Sequence, residues 1–562
     1  MPLRRLLGPA LLFTLVMPAC RADPRSPDSE VTVHSSDAAI AAAPPSRSRK
    51  IVEPPDPPER GPANGTEVAE QANRLFETQK FEAAAPLLRA VVAGESGDDD
   101  EHRQFAEYRL AIALFKLELY QASYAIFAEI GNMPEHRQFA ASLRWLGRLA
   151  SELPERADVV ERVGRYDPKL IAKLDDPAHH ERAMQLMYLS GAYQLRNRNY
   201  EEALARLSAV DEKSQFFVLA QLASGDAQLG QKMWAQGAAA FGRAEAAIGS
   251  GAASSEDARL RDLARLAMGS ALLSAAIQVD EGWAVDAKGV AAAVDALARV
   301  DPNGEYGLDA ALEMARGFLL SGDSGRALGV LSSLSGAEVP TVTAFEVDAL
   351  RAAVSFANCR VDEANAAVLQ LEKNYEPTSK ELAALLDRAP FAGDNKEEAF
   401  LGLIGSDGTG LSAVIRKMAL TIAADRQVLA NLEYRQFLVD EGTRLDRLSK
   451  SFRDSPIGAD EMDALDLARD IVSRSAGSRA ADLFRRALDQ LTPARSLVLE
   501  AIKSGAQSNA DKQARGRLFQ SVYRQHVTAL VDAGDPLRTG RGKRPASPKD
   551  AGEVAIASKC GK

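Results

Sequence analysis

The residues with the most obvious potential for chemistry are six histidines and three cysteines. No two histidines have the i, i+4 spacing of a zinc-binding HExxH motif, and the adjacent pair His179–His180 lies in the loop-like stretch "DDPAHHE". The cysteines, Cys20, Cys359 and Cys560, form neither a CxxC motif nor a disulfide framework. We therefore expect no metal site. Cys359 is expected to be a small packing residue at a hairpin turn, and Cys560 a free thiol or one that pairs between chains.

Motifs for cofactor binding and acid catalysis are incomplete. "DPNGEYGLD" is similar to a calcium loop, but Tyr306 occupies the position that needs glycine. "GLIGSDGTGLS" is not a phosphate-binding loop, because no Gly-Lys-Ser/Thr follows it. The Glu-Ser pair that lytic transglycosylases use occurs once, at Glu95–Ser96, in a glycine-flanked acidic loop rather than in the buried setting of a general acid. Because none of these three motifs is complete, we expect a protein that is not an enzyme and needs no cofactor.

Composition narrows the class of protein further. The chain has 68 Lys and Arg against 78 Asp and Glu, and its net charge of −10 argues against nucleic-acid binding. Hydrophobic residues make up 46% of the chain and aromatic residues only 6%. Much of the hydrophobic content is alanine, which favours helices that pack closely through small side chains.

The N-terminus has the layout of a secretory signal. Arg4 and Arg5 precede the apolar run Leu6–Ala19, which is too short to span a membrane, and Cys20 follows it directly. We interpret residues 1–19 as a signal peptide that resembles those of bacterial lipoproteins. That resemblance implies lipidation of Cys20, so that a lipid anchor is the chain's only contact with the membrane.

The same resemblance bears on localisation. Arg21, rather than Asp, follows the cysteine, which by the enterobacterial sorting pattern implies an outer-membrane lipoprotein facing the periplasm. Met17 and Pro18 depart from the usual lipoprotein pattern. The alternative is ordinary cleavage after Ala22, which would discard Cys20.

Residues 20–65 have a composition typical of a disordered tether. They include "APPSRSRK" and "EPPDPPERGP", which are rich in proline, serine and charge and cannot build a core. About forty such residues reach roughly 35 Å, which would hold the folded part away from a lipid surface. Thr66 at its end is predicted to be a helix N-cap.

Internal repetition is the strongest structural signal. "EHRQFA" occurs at Glu101–Ala106 and again at Glu135–Ala140, 34 residues apart, which is the length of one helix–turn–helix repeat. Both copies are predicted to begin a helix. Two further stretches place small and bulky residues at the same intervals: Gly191, Tyr200, Ala203 and Leu207 in the first, and Gly225, Trp234, Gly237 and Phe241 in the second.

This alternation of small and bulky residues resembles the tetratricopeptide repeat family. The resemblance covers about residues 66–377 and implies an all-α fold, an α-solenoid of helical hairpins. In that family the first helices of the hairpins line a concave groove that binds peptides or partner helices. Transferred to this chain, the implied candidate groove consists of Phe105, Tyr108, Phe115, Tyr188, Leu195, Arg196, Leu219, Leu222, Asp226 and Arg316.

The remainder of the chain follows a different pattern. Residues 378–534 predict a C-terminal bundle of long helices or an antiparallel coiled coil, with an unbroken helix from Leu411 to Phe452 as its main element. Such a module could mediate self-association. Residues 535–562 carry seven Lys or Arg against three Asp or Glu, and we expect a disordered basic tail.

These observations lead to one main functional expectation. The chain is expected to be a non-enzymatic scaffold in the bacterial envelope that binds other envelope proteins through its groove. The alternative is a peptidoglycan- or glycan-binding lipoprotein. A lytic-transglycosylase-like enzyme is disfavoured by the position of the Glu95–Ser96 pair.

Overall fold

The computed structural model describes residues 61–153, 164–249, 254–278, 284–334, 339–388, 391, 393, 396–404, 410–493, 496–506, 512–530, 533–536, 538–544 and 560. Over these ranges the protein is all-α, as predicted, apart from one antiparallel pair of two-residue strands, β1 (Ile277–Gln278) and β2 (Ala284–Val285). None of the helices in these ranges combines the length and the apolar character that crossing a lipid bilayer requires.

The chain forms two compact units that do not follow simple sequence order. Unit 1 comprises Met1–Pro154 and Gln436–Arg469, and unit 2 comprises Glu155–Arg435 and Asp470–Lys562. The segment Gln436–Arg469, which the sequence assigned to a C-terminal domain, therefore belongs with the N-terminal helices.

Within each unit, the helices of the first part of the chain pack on their neighbours in sequence. Before Pro154 they are α1 (Glu67–Glu77), α2 (Phe81–Val92), α3 (Asp100–Lys116), α4 (Tyr120–Ile130) and α5 (Phe139–Glu152). From residue 164 to 388 they are α6 (Pro168–Ala172), α7 (His180–Arg196), α8 (Tyr200–Leu207), α9 (Phe217–Gly230), α10 (Trp234–Ile248), α11 (Ser255–Ala275), α12 (Ala287–Ala298), α13 (Gly307–Leu320), α14 (Ser324–Ser333), α15 (Thr341–Ala357) and α16 (Val361–Leu386).

The last helices vary more in length. They are α17 (Lys396–Ile404), α18 (Ala413–Ala423), α19 (Arg426–Arg447), α20 (Lys450–Arg453), α21 (Pro456–Leu491), α22 (Leu497–Ala506) and α23 (Lys512–Ala529). In unit 2, α22 packs on α15 and α16, and α23 packs on α13 and α15. These C-terminal helices contribute to one hydrophobic core with the last hairpins instead of forming a separate one.

Local sequence explains where the first helices begin. Thr66 Oγ1 accepts a hydrogen bond from the Ala69 amide at 3.3 Å, which confirms the predicted N-cap of α1. Asp99 caps α3 in the same way, so the first "EHRQFA" is helical from its start. The second copy is mostly a turn, and α5 begins only at Phe139, where its N-cap, Gln138, makes no side-chain cap hydrogen bond. The prediction that both copies begin a helix is therefore wrong for the second.

Six helix pairs are joined by turns of the same design. Each turn has three residues, and the middle one has a positive φ between 58° and 83°. These middle residues are Gln79, Glu118, Arg198, Lys232, Gly322 and Cys359. Only Gly322 adopts this left-handed conformation without a steric cost from Cβ. The recurrence of one turn shows that these helix pairs are equivalent hairpins.

Small residues allow the two helices of a hairpin to approach closely, as predicted. A Cβ atom added to Gly191 would lie 2.6 Å from the Leu207 side chain, and one added to Gly225 would lie 2.3 Å from the Phe241 ring. Both distances are too short for a real Cβ atom. The two hairpins α7–α8 and α9–α10 therefore share one small-to-bulky contact at equivalent positions.

Two predicted boundaries are wrong. The helix expected to run unbroken from Leu411 to Phe452 is interrupted, since α18 ends at Ala423 and α19 begins at Arg426. The cause is Asp425, whose carboxylate accepts hydrogen bonds from the Gln427 and Val428 amides, each at 3.1 Å, and so starts a new helix. Conversely, α16 continues through Pro377, where the repeat array was expected to end.

Candidate functional site

The candidate site is the surface of unit 2 on which the C-terminal part of the chain lies. We call residues 533–544, as far as they are described, the tail segment. It follows α23 and contacts the first helices of several hairpins, which are the helices expected to line a groove. The tail segment contains "RTGRGKR", a run of basic residues and glycines from Arg538 to Arg544.

A fully buried polar cluster attaches α23 to the hairpins. His526 Nδ1 lies 2.6 Å from Glu313 Oε2 on α13, and His526 Nε2 lies 2.8 Å from Ser274 Oγ on α11. Glu313 also pairs with Arg316, which is 2% exposed and contacts Glu346 on α15. Burial alone would raise the pKa of Glu313. The charges of Arg316 and His526 outweigh that effect and lower the pKa to about 2.

The order Ser274–His526–Glu313 has the hydrogen-bonding pattern of a hydrolase triad, but its setting is unsuited to catalysis. Ser274 and His526 are both 0% exposed, so no substrate reaches the hydroxyl in this structure. Ser274 also lies within α11, whose backbone amides are committed to helical hydrogen bonds and cannot form an oxyanion hole. The cluster is a structural anchor for α23.

Main-chain hydrogen bonds hold the tail segment along the start of α13. The Gly542 amide donates to the Glu305 carbonyl at 2.8 Å, and the Leu308 amide donates to the Gly542 carbonyl at 2.9 Å. The Arg541 amide donates to Asp309 Oδ2 at 2.7 Å. The tail segment here is neither helix nor strand, and partners on the hairpins satisfy its backbone groups.

Arginine–carboxylate pairs add charge recognition to these backbone contacts. We call Glu305, Asp309 and Glu346 the acidic face. The Arg541 guanidinium contacts Glu346 and lies 3.4 Å from Asp309 Oδ1. Glu305 accepts from the Gly540 amide at 3.0 Å and pairs with Arg426 at 2.8 Å. Burial raises the pKa of Glu305, but the Arg426 and Gly540 hydrogen bonds outweigh it, and its pKa is lowered overall.

Tyr306, which breaks the calcium-loop pattern, binds the tail segment instead. Its hydroxyl donates to the Arg538 carbonyl at 2.9 Å and accepts from Arg259 at 2.8 Å. Its side chain is 0% exposed, and burial raises the pKa of Tyr306 to about 12. The phenol therefore stays protonated and remains a hydrogen-bond donor at neutral pH.

Two further contacts lie on either side of the acidic face. The Gly534 amide donates to Asp226 Oδ1 on α9 at 2.6 Å. Cys560 forms a disulfide with Cys359, at the turn between α15 and α16, with an S–S distance of 2.08 Å.

The expected hairpin-turn position of Cys359 is confirmed, whereas the prediction of a free thiol at Cys560 is wrong. The described residues 538–544 and Cys560 also depart from the disorder expected of the basic tail.

The predicted groove residues fall into three groups. Leu222, Asp226 and Arg316 are buried at or near the C-terminal contacts of unit 2. Phe105, Tyr108 and Phe115 are buried in unit 1, where Tyr108 accepts a hydrogen bond from Trp145 and Phe115 packs edge-on against Trp145. The more accessible positions in unit 2 are Tyr188, Leu195, Arg196 and Leu219. Cys20 lies outside the described residues.

Sequence reasoning missed most of the residues that contact the tail segment. Glu305 and Asp309 lie in "DPNGEYGLD", which was assessed only as a calcium loop, and Glu346 lies 37 residues further along the chain. The sequence contained one electrostatic indication of this contact: residues 535–562 are basic, whereas the chain as a whole has a net charge of −10. That contrast favours an internal contact but does not locate it.

Unit 1 contains a different buried cluster. Glu441 on α19 and Glu461 on α21 are 0% and 3% exposed. Glu441 Oε1 accepts from the Gln121 amide at 2.8 Å. Burial raises the pKa of both carboxyls, and their proximity raises that of Glu461 further. Arg444 Nη2 lies 3.9 Å from Glu441 Oε2, beyond hydrogen-bond distance, and among the described residues no donor bonds to Glu461 Oε1. We infer that a proton shared by the two carboxyls supplies the missing hydrogen bond.

Within the described ranges, no three His, Cys, Asp or Glu side chains are grouped closely enough to hold a metal ion. The described histidines pair with carboxylates instead, as His102 does with Asp99. In comparisons with known proteins, the chain matches no protein-family model and no curated protein sequence.

Proposed function

We propose that this chain is a non-enzymatic interaction scaffold, a tetratricopeptide-like array of helical hairpins that binds segments of other proteins. The observation that carries the proposal is the tail segment itself. An irregular stretch of chain lies on the first helices of the hairpins and is held by main-chain hydrogen bonds and arginine–carboxylate pairs. A surface that holds such a segment in cis has the chemistry to hold one in trans.

The repeated hairpins support the scaffold interpretation. Hairpins that share one turn and one small-to-bulky contact present their first helices as a series of similar surfaces. We place the partner contacts outside the tail segment near Tyr188, Leu195 and Leu219, because these apolar side chains on α7 and α9 are only partly buried.

Site-specific photocrosslinking tests this function. Benzoylphenylalanine replaces Leu195 or Leu219 in the native envelope, and Leu369, a 66% exposed leucine on α16, is replaced as the matched control. We expect Leu195 and Leu219 to crosslink to the same defined protein, identified by mass spectrometry and then bound in purified form. Equal crosslinking from Leu369, or none from Leu195 and Leu219, would contradict the proposal.

We further propose that the scaffold is a lipoprotein of the bacterial outer membrane, facing the periplasm, with Cys20 as its lipidated residue and other envelope proteins as its partners. The position of Cys20 after an apolar run supports this localisation. Membrane fractionation of Cys20→Ser is the test. We expect the variant in the soluble periplasm and the unchanged protein in the membrane fraction. A soluble unchanged protein that starts at Asp23 would refute the anchor.

A further inference from the structure

We propose that the tail segment is a built-in pseudo-ligand, and that the acidic face of unit 2 takes an extended cationic partner segment in which an arginine is flanked by glycines. This inference rests on the proposed function, because it names the class of partner for one surface of the scaffold. It also assigns a role to the disulfide, which holds the pseudo-ligand in place until it is reduced.

The requirement for arginine follows from the carboxylates. Asp309 and Glu346 lie on different helices, and the Arg541 guanidinium contacts both. A planar guanidinium has donors pointing in several directions and can serve two carboxylates at once, whereas a lysine ammonium acts as a compact point charge. The acidic face therefore favours arginine over lysine at this position.

The requirement for glycine on both sides follows from space and backbone conformation. A Cβ atom at Gly540 would lie 2.3 Å from the Glu305 carbonyl oxygen, which is backbone and cannot move aside. Gly542 has a φ of +106°, a conformation that residues with a Cβ atom rarely adopt. The face thus recognises Gly-Arg-Gly and not basic character alone.

The tail segment has the properties of a ligand that can be displaced. Between Arg538 and Arg544 its contacts are polar, and an incoming segment of the same type would replace each of them. The apolar attachment lies upstream, where Leu530 and Ala533 are 4% and 0% exposed. Displacement of the polar part therefore needs no opening of the hydrophobic core.

The disulfide favours the pseudo-ligand by attaching its far end. Leu530 and Ala533 are buried on one side of the tail segment and Cys560 is bonded to Cys359 on the other, so the chain is attached to unit 2 at both points. A dithiol reductant breaks the S–S bond by donating two electrons and two protons. Cys359 and Cys560 become thiols while the reductant becomes a cyclic disulfide. The segment is then attached at one end only, and a competing segment gains access.

The test measures binding of a fluorescein-labelled peptide, Arg-Thr-Gly-Arg-Gly-Lys-Arg, to the full-length protein by fluorescence anisotropy. The proteins are the oxidised unchanged chain, the same chain in dithiothreitol, and the double variant Arg541→Ala/Cys560→Ser. We expect the oxidised chain to bind most weakly, and the double variant to bind at least about tenfold more tightly, because its own segment competes less.

Matched controls distinguish specific recognition of the Gly-Arg-Gly sequence from attraction by the peptide's positive charge alone. A peptide of equal charge with alanines in place of both glycines should bind the double variant at least about tenfold more weakly. Adding Glu346→Gln to the double variant should weaken binding of the original peptide in the same way. Equal binding of the two peptides, or equal binding to the oxidised chain and the double variant, would overturn the inference.

A second measurement does not depend on how well the variants fold. Hydrogen–deuterium exchange of the unchanged chain should show faster exchange at Gly540, Arg541 and Gly542 after reduction. In α13 only the Leu308 amide, which donates to the Gly542 carbonyl, should follow. Unchanged exchange in these amides would contradict the role of the disulfide.

Crosslinking from Leu195 and Leu219 is independent of the acidic face. Crosslinks without peptide binding would therefore refute this inference alone, and peptide binding without crosslinks would refute the placement of partners on α7 and α9.

Discussion

Unit 1 and unit 2 each bury a glutamate completely within helices, but they stabilise it in opposite protonation states. In unit 2, Glu313 lies against Arg316 and His526, and its pKa is lowered, so the carboxylate is charged. In unit 1, Glu441 lies beside Glu461, and the pKa of both is raised, so the pair retains a proton. Both side chains are buried. Glu313 has Arg316 and His526 in close contact, whereas Arg444 approaches Glu441 only to 3.9 Å, so the effect of burial prevails at Glu441.

Because the pKa shifts of Glu313 and Glu441 are opposite, the stabilities of the two units should respond oppositely to pH. A carboxyl whose pKa is lowered by folding contributes stability above its ordinary value of 4.5, and that contribution is lost as the pH falls through the folded value. A carboxyl whose pKa is raised contributes below 4.5, and its contribution is lost as the pH rises through the folded value. Unit 2 should therefore weaken towards acid and unit 1 towards alkali.

The largest expected effect is that of Glu313→Gln. The substitution removes the carboxylate that pairs with His526 and one of the two that contact Arg316, and it should lower the unfolding free energy of unit 2 by about 3–5 kcal/mol at pH 7. Urea unfolding followed by hydrogen exchange of peptides from each unit measures it. Asp470→Asn, which removes one member of an exposed pair with Arg474, is the control and should change stability by less than about 1 kcal/mol. A similar small loss for Glu313→Gln would refute the comparison.

The same chemical change in unit 1 should have a much milder and pH-dependent effect. Folding raises the pKa of Glu441 to about 7, so Glu441 alone should cost unit 1 about 3 kcal/mol of stability as the pH rises from about 4.5 to 8. In Glu441→Gln a neutral amide replaces the protonated carboxyl. The variant should match the unchanged chain at pH 5 and exceed its stability at pH 8.

Unfolding of unit 1 peptides across pH 5 to 8 measures this response. Asp446→Asn is the matched control, because Asp446 lies on the same helix and in the same unit but is exposed, so this substitution should leave the pH response unchanged. A pH dependence as steep in Glu441→Gln as in the unchanged chain would show that Glu441 does not titrate in this range. The contrast with unit 2 would then fail.

The smallest expected effect is one that both units should share. Gln79 in unit 1 and Lys232 in unit 2 occupy equivalent left-handed positions in hairpin turns. Glycine relieves the steric cost of that conformation but loses more backbone entropy on folding, so Gln79→Gly and Lys232→Gly should each stabilise by about 0.5 kcal/mol. Gly322→Ala should destabilise by about 1 kcal/mol. Chemical denaturation measures all three, and opposite signs for Gln79→Gly and Lys232→Gly would show that the turns are not equivalent.

The hairpins were largely predictable because their determinants are local. The 34-residue spacing of Tyr200 and Trp234 and the small residues Gly191 and Gly225 indicated paired helices, and the structure places Leu207 and Phe241 against those glycines. The break at Asp425 was missed although its cause is also local. An aspartate among regularly spaced apolar residues is easily taken for a surface residue. Here its carboxylate caps a new helix through the Gln427 and Val428 amides.

The sequence by itself determined the all-α class, the hairpin turns and the close helix contacts, because caps, turn residues and small-to-bulky spacing act over a few tens of residues. Only the tertiary structure decided where the basic C-terminus lies, which carboxylates meet Arg541, and that Cys359 bonds to a cysteine 201 positions away. Such contacts join distant residues. They depend on how long-range packing brings charges and thiols together, and no local pattern records that arrangement.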